Sequence, residues 1–201
     1  MHLSGINIYP VKSCAGIALQ QASLDRFGPA GDRRWLVVDQ RGRFISQREQ
    51  ARMALIRVAQ QGSGLRLSLG DSSIEIQAPA ADAPEVRVTI WEDSVRALLA
   101  DDASSNWLSE QLGLSCRLVY MPDNCQRLVD GRYAHEGETV SFADGFPLLL
   151  IAQASLDDLN GRLDMPVPMN RFRPNLVVAG CDAFAEDGWK RVRIGAVEFD
   201  V

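Results

Sequence analysis

Residues Met169-Asn170-Arg171-Phe172-Arg173-Pro174-Asn175 place two arginines, an asparagine and a proline directly before an apolar run, Leu176-Val177-Val178-Ala179. A guanidinium is a planar fork of donors suited to bidentate acceptors, phosphate and carboxylate above all. Pro174, with fixed φ and no N–H, biases Arg173 towards extended geometry, so a strand is predicted to start here behind a stiff, cationic turn. The plainer reading pairs Arg171 and Arg173 with surface acids. A second cationic concentration lies upstream. Arg26, Arg33, Arg34, Arg41, Arg43, Arg48, Arg52 and Arg57 share a segment whose acids are Asp32, Asp39 and Glu49, in a chain of net charge −5. An acidic protein with a locally cationic quarter can focus an anionic ligand there.

Other chemistries are excluded by what the sequence lacks. It has no Gly-x-Gly-x-x-Gly, Walker loop, Gly-x-Ser-x-Gly or His-Glu-x-x-His, which removes the common nucleotide, hydrolase and zinc-protease motifs. With only His2 and His135, a His-rich zinc site is not expected. Cys14, Cys116, Cys125 and Cys181 lack Cys-x-x-Cys spacing and are expected as reduced thiols. Asp144, Asp157, Asp158, Glu186 and Asp187 supply carboxylates, but any one is more often a helix cap or a solvated charge. A net negative charge argues against nucleic acid as a partner. No apolar run reaches the ~18 residues of a membrane span, so no membrane partner and a cytoplasmic location are expected.

The supporting elements read as α+β, mostly β. Strands are predicted over residues 3–9, Ile17–Leu24, Trp35–Val38, Phe44–Ser46, Ala54–Ala59, Leu65–Leu69, Ile74–Gln77, Val86–Ile90 and Cys116–Met121, separated by Gly and Asp turns. Trp35-Leu36-Val37-Val38 is apolar throughout and reads as a central strand. Asp101 to Ser105 opens a helix that carries Trp107, Leu108 and Leu112 and stops at Gly113. Pro122 to Glu138 reads as a long surface loop. Ser155 and Asp158 make a capping box for a short helix, and Val192–Val201 is a last strand. The pattern loosens at Ala78–Pro84, which suggests domains 1–90 and 91–201.

Arg171-Phe172-Arg173-Pro174-Asn175, with Phe142-Ala143-Asp144-Gly145-Phe146-Pro147-Leu148 before it and Ala185-Glu186-Asp187-Gly188-Trp189 after it, resembles a MOSC domain. Tyr9-Pro10-Val11-Lys12-Ser13-Cys14 and Asp32-Arg33-Arg34-Trp35 resemble the β-barrel domain that precedes MOSC in the branch holding the amidoxime reducing components. The resemblance covers nearly the whole chain. It implies an N-terminal β-barrel-like domain followed by a partial MOSC β-barrel with a few short helices. It also implies a molybdenum cofactor (molybdopterin) lying between the two parts. By motif, Lys12 and Ser13 would meet the cofactor's anionic end and Arg33 would act as a second clamp. Gly145 and Phe146 would offer backbone to the pterin, Ser155 would be a further contact, and Arg173 and Asn175 would complete the cradle.

One part of the family pattern has no counterpart. Relatives ligate molybdenum through a Cys-x-Arg-Cys segment directly after the strand matching Val192–Val201. The four cysteines here do not replace it by motif, so no metal ligand is assigned and a truncated chain is expected, with a sheet edge left open to association. The resemblance implies a parent that reduces small N-hydroxylated substrates, with electrons from a ferredoxin-like or flavin reductase partner. The alternatives are a non-redox module carrying cofactor or sulfur, and a fragment inactive by itself. Catalytic residues are not assigned.

Overall fold

The structure, a computed structural model, describes residues 1–62 and 64–201. Strands dominate it, with two α-helices, Asp102–Leu112 and Gln153–Asn160, so the α+β, mostly β class expected from the sequence holds. The chain divides into two compact units. One comprises Met1–Asn7, Ala18–Ala22 and Leu148–Val201; the other comprises Ile8–Ile17 and Ser23–Pro147.

In the larger unit the main antiparallel sheet runs in the order Trp35–Val38, Arg117–Tyr120, Asp93–Leu99, Glu85–Ile90. Successive side chains of a strand point to opposite faces, and here both faces are covered. Trp35, Val37 and Leu118 enter a core with Met53, Ile56, Leu67 and the helical Leu108 and Leu112. Leu36, Val38 and Val119 enter a second core with Val88, Ile90, Phe27 and Phe142. That double burial is why Trp35–Val38 carries no polar side chain. It stands last in the sheet order, yet its outer edge is also paired: Val11 bridges Trp35 and Phe44 bridges Val38.

A three-stranded meander, Arg57–Gln61, Gly64–Leu69 and Ser72–Ile76, supplies Val58, Leu65, Leu67 and Ile76 to the first core. Helix Asp102–Leu112 closes it. The carboxylate of Asp101 accepts from the Ser104 backbone N–H at 2.6 Å, and Gly113 ends the helix in the left-handed region at φ 69°.

Two expectations for this unit change. Residues near the expected domain boundary form a strand, Asp93–Leu99, joined to Glu85–Ile90 by the two-residue turn Trp91-Glu92. The segment 122–138 is a loop, but it is anchored, with Cys125, Arg127 and Val129 buried.

The smaller unit has a sheet in the order Leu150–Ala152, Leu176–Ala179, His2–Ile8, Ile17–Leu19. Its first two strands are parallel and connected through helix Gln153–Asn160, the crossover that a parallel pair requires. The capping box expected at Ser155 is not formed. The helix begins three residues earlier than that cap implies, at Gln153 behind Ala152, which has no capping side chain. Glu186 supplies the missing acceptor: its Oε1 takes the Ala152 N–H at 2.9 Å and the Ser155 hydroxyl at 2.7 Å. The expected last strand is a hairpin, Arg191–Ile194 against Val197–Asp200, turning at Gly195.

Candidate anion-binding site

Lys12 occupies the second position of a turn closed by the Cys14 N–H to the Val11 carbonyl at 3.1 Å. Ser13, the third residue, has φ 70°, a position where turns of this kind normally take glycine. The turn is anchored to the main sheet, since the Lys12 N–H donates to the Trp35 carbonyl at 2.9 Å. Lys12 itself is only 7% exposed. Its ammonium donates to Asp144 Oδ1 at 2.6 Å and lies 5.9 Å from the Phe44 ring centroid and 6.0 Å from that of Trp91.

Burial lowers the Lys12 pKa from 10.5 to about 8; Asp144 opposes that fall, while Arg33 and Arg127 add to it. The partner carboxylate is open, with the Asp144 side chain 68% exposed. Burial pushes the Asp144 carboxyl up, but the Lys12 charge and hydrogen bond, the Trp91 indole and Arg33 outweigh it and hold the group below the ordinary carboxylate range. The Trp91 indole N–H donates to the same Oδ1 at 3.2 Å. Two donors therefore converge on one oxyanion position.

Arg33 is held by Asp32, which is 1% exposed. One Asp32 oxygen accepts Arg33 Nη1 at 2.5 Å and the other accepts the Tyr9 backbone N–H at 2.7 Å. The guanidinium lies 4.5 Å from the Tyr9 ring centroid. That ring packs on Gly16, where an added Cβ would come within 2.5 Å of it. Arg33 also has positive φ, 46°, and so does Trp91, at 54°. Non-glycine residues in this region are uncommon, cost on the order of 1–3 kcal/mol, and persist only where surroundings fix them. Among the described residues, three of the five such positions, Ser13, Arg33 and Trp91, belong to this cluster.

Arg127 sets the loop that carries Asp144. It is nearly buried, donates to the Ser141, Ala143 and Asp144 carbonyls at 2.6–2.8 Å, and pairs with Asp93 at 2.7 Å. Gly145 follows in open space, and Phe146, half-exposed, meets Tyr133 edge-on at 6.0 Å. The larger unit thus brings Lys12, Ser13, Arg33, Gly145 and Phe146 into one folded body. It adds Asp32, Trp91, Arg127 and Asp144, which sequence reasoning did not place. Trp91 was missed because its turn carries none of the usual Gly, Asn or Asp hairpin residues. Arg127 was hidden in a polar stretch read as surface.

The smaller unit holds Ser155, Arg173 and Asn175. Asn175 is 1% exposed. Its Oδ1 accepts the Leu149 N–H at 3.2 Å and its Nδ2 donates to the Asn7 carbonyl at 3.1 Å, tying two strands together. Ser155 Oγ donates to Glu186 and accepts the Phe184 N–H at 2.8 Å. Arg173 is not extended as Pro174 suggests but left-handed, at φ 59°. The Phe172 N–H closes a turn on Met169 before it, and Asn175 is clamped after it, so Arg173 must make the reversal between two fixed ends. Among the described residues no group of three or more His, Cys, Asp or Glu could hold a metal ion, and no helix is long and apolar enough to cross a membrane.

The chain is mostly β, and its larger unit gathers a desolvated lysine, an arginine fork held by Asp32, and strained turns. Its sequence relationships are specific. Residues 1–115 match the MOSC N-terminal beta barrel domain and residues 137–201 the MOSC domain. The chain belongs to the MOSC family, carrying the N-terminal barrel domain that accompanies it. It is similar to mitochondrial amidoxime-reducing component 1 of Mus musculus, at 33% identity over 95% of this chain and 59% of that protein. It is also similar to mitochondrial amidoxime reducing component 2 of Homo sapiens, at 31% over 95% and 60%. Molybdenum cofactor sulfurase of Oryza sativa matches at 32% identity over 99% of this chain and 27% of that protein. The chain therefore spans about 60% of the length of these amidoxime-reducing relatives. A solution structure of a Bordetella bronchiseptica protein aligns with TM-score 0.41 and 20% identity over 52% of this chain and 92% of that one, too slight to argue from.

Proposed function

We propose that this chain binds a molybdenum cofactor and that the whole protein reduces N-hydroxylated compounds. The observation that carries the reading is Lys12: an ammonium held out of water at a strained turn, where its charge is expensive unless an anion repays it. The donor set suits a phosphate, with a point-charge lysine, the Ser13 hydroxyl and an arginine fork pre-oriented by Asp32 and Tyr9. Lys12, Ser13 and Arg33 hold the anionic end, and the Gly145-Phe146 backbone meets the pterin. When bound, the molybdenum supplies two-electron chemistry; the protein binds, orients and gives access.

The net reaction on an amidoxime takes two electrons and two protons, breaks the N–O bond, and yields the amidine and water. In the cell the electrons come from a ferredoxin-like or flavin-containing protein. The test is reduction of benzamidoxime by the whole protein purified from a cofactor-making host, with reduced methyl viologen as electron source. Benzamidine formation, lost in Lys12→Met and Arg33→Met, is expected. A cofactor-loaded protein that leaves benzamidoxime untouched overturns the reductase reading and favours a cofactor or sulfur carrier, as the likeness to the sulfurase suggests.

A further inference from the structure

We infer that the Asp144 carboxylate is an internal stand-in for the ligand's anion, and that Trp91 is a ligand-binding residue that takes over the incoming oxygen once Asp144 swings away. This rests on the reading of Lys12 as the anion-binding lysine.

Four observations support the exchange. The pair is asymmetric: the Lys12 side chain is 9% exposed and that of Asp144 68%, so one partner is fixed and the other stands at the surface. Arg127 fixes the backbone on which Asp144 rides, through the Ala143 and Asp144 carbonyls. The side chain can therefore move without the loop. Gly145, next in line, meets nothing within 4 Å of where a Cβ would stand, so the residue that follows Asp144 is not packed against a neighbour there. Finally, Lys12 Nζ and Trp91 Nε1 aim at one oxygen. Removing that oxygen leaves two buried or half-buried donors facing the same point, an arrangement that a phosphate oxygen satisfies as well as a carboxylate does.

Trp91 fits no other local role so well. It sits 45% exposed at the tip of a hairpin, with a backbone conformation that tryptophan rarely adopts. Its ring is steadied by Phe44 at 4.9 Å, and the Arg48 guanidinium lies over it at 5.5 Å. The indole N–H is thus pre-aimed before any ligand arrives.

A site closed by its own carboxylate binds with an affinity reduced by the fraction of open molecules. Phosphorus NMR titration with phenyl phosphate, at one pH below the about 8 where Lys12 titrates, separates the claims. The wild type is expected to bind, Lys12→Met to lose binding, Asp144→Asn to bind about tenfold tighter, and Trp91→Phe about fivefold more weakly. Asp144→Asn binding no tighter than wild type overturns the exchange while leaving the lysine site intact. Trp91→Phe binding like wild type overturns the indole's part. Binding that survives Lys12→Met overturns the proposed anion site and, with it, this inference.

Discussion

Lys12 must be charged to hold an anion, yet it is placed where charge is costly. Burial brings its pKa from 10.5 to about 8, and each pH unit of that displacement is worth about 1.4 kcal/mol. The sign follows from proton counting. Between pH 8 and 10.5 the unfolded lysine is protonated and the folded one is not, so stability rises with pH across that window; below about 8 both are protonated and the full cost is present. In the ligand-free protein at pH 7 that cost is on the order of 3 kcal/mol. Lys12→Met, which keeps the length and drops the charge, is therefore expected to raise the thermal midpoint at pH 7 and to lose that advantage above pH 10. A variant that is destabilised equally at both values would show that the charge is not what strains the site. The same titration predicts that anion binding fades as pH rises through about 8.

At the scale of elements, the site depends on how the larger unit is assembled. Strand Trp35–Val38 offers its outer edge to the Lys12 turn, the hairpin tip presents Trp91, and the loop after residue 122 delivers Arg127 to hold Asp144. Helix Asp102–Leu112 closes the first core and is bounded by two local signals. Asp101→Ala removes the acceptor for the Ser104 N–H and is expected to cost about 1 kcal/mol in denaturant unfolding, leaving anion binding unchanged. No loss of stability would mean that packing of Trp107 and Leu108 alone sets the helix start.

Those caps, the Trp35–Val38 run and the apolar Leu176–Ala179 strand were legible because each is a short-range pattern with one physical cause. Asp93–Leu99 was not. Its approach through Trp91-Glu92-Asp93 is charged, and the left-handed backbone that makes the turn is imposed by pairing Ile90 with Asp93. Glu186 capping a helix more than thirty positions away, in place of Ser155, likewise has no local signature.

At the scale of the molecule, the chain divides discontinuously: residues 1–7 join a sheet with 150–152 and 176–179, while 8–17 belong with 23–147. Antiparallel pairing of His2–Ile8 with Leu176–Ala179 spans nearly the whole sequence, a non-local contact no composition shift announces. The motifs for the candidate site could be read before the fold, since they are individual residues with fixed chemistry. Their partners Asp32, Arg127 and Asp144 could be assigned only from geometry. The central claim, that the Lys12 turn and Arg33 hold a pterin-bound phosphate, is tested most directly by pterin content. This chain, purified from a cofactor-making host and oxidised to release fluorescent pterin, is expected to carry it, and Lys12→Met and Arg33→Met are expected to be depleted at least tenfold. Equal pterin in the wild type and both variants, or pterin in none, would contradict the account.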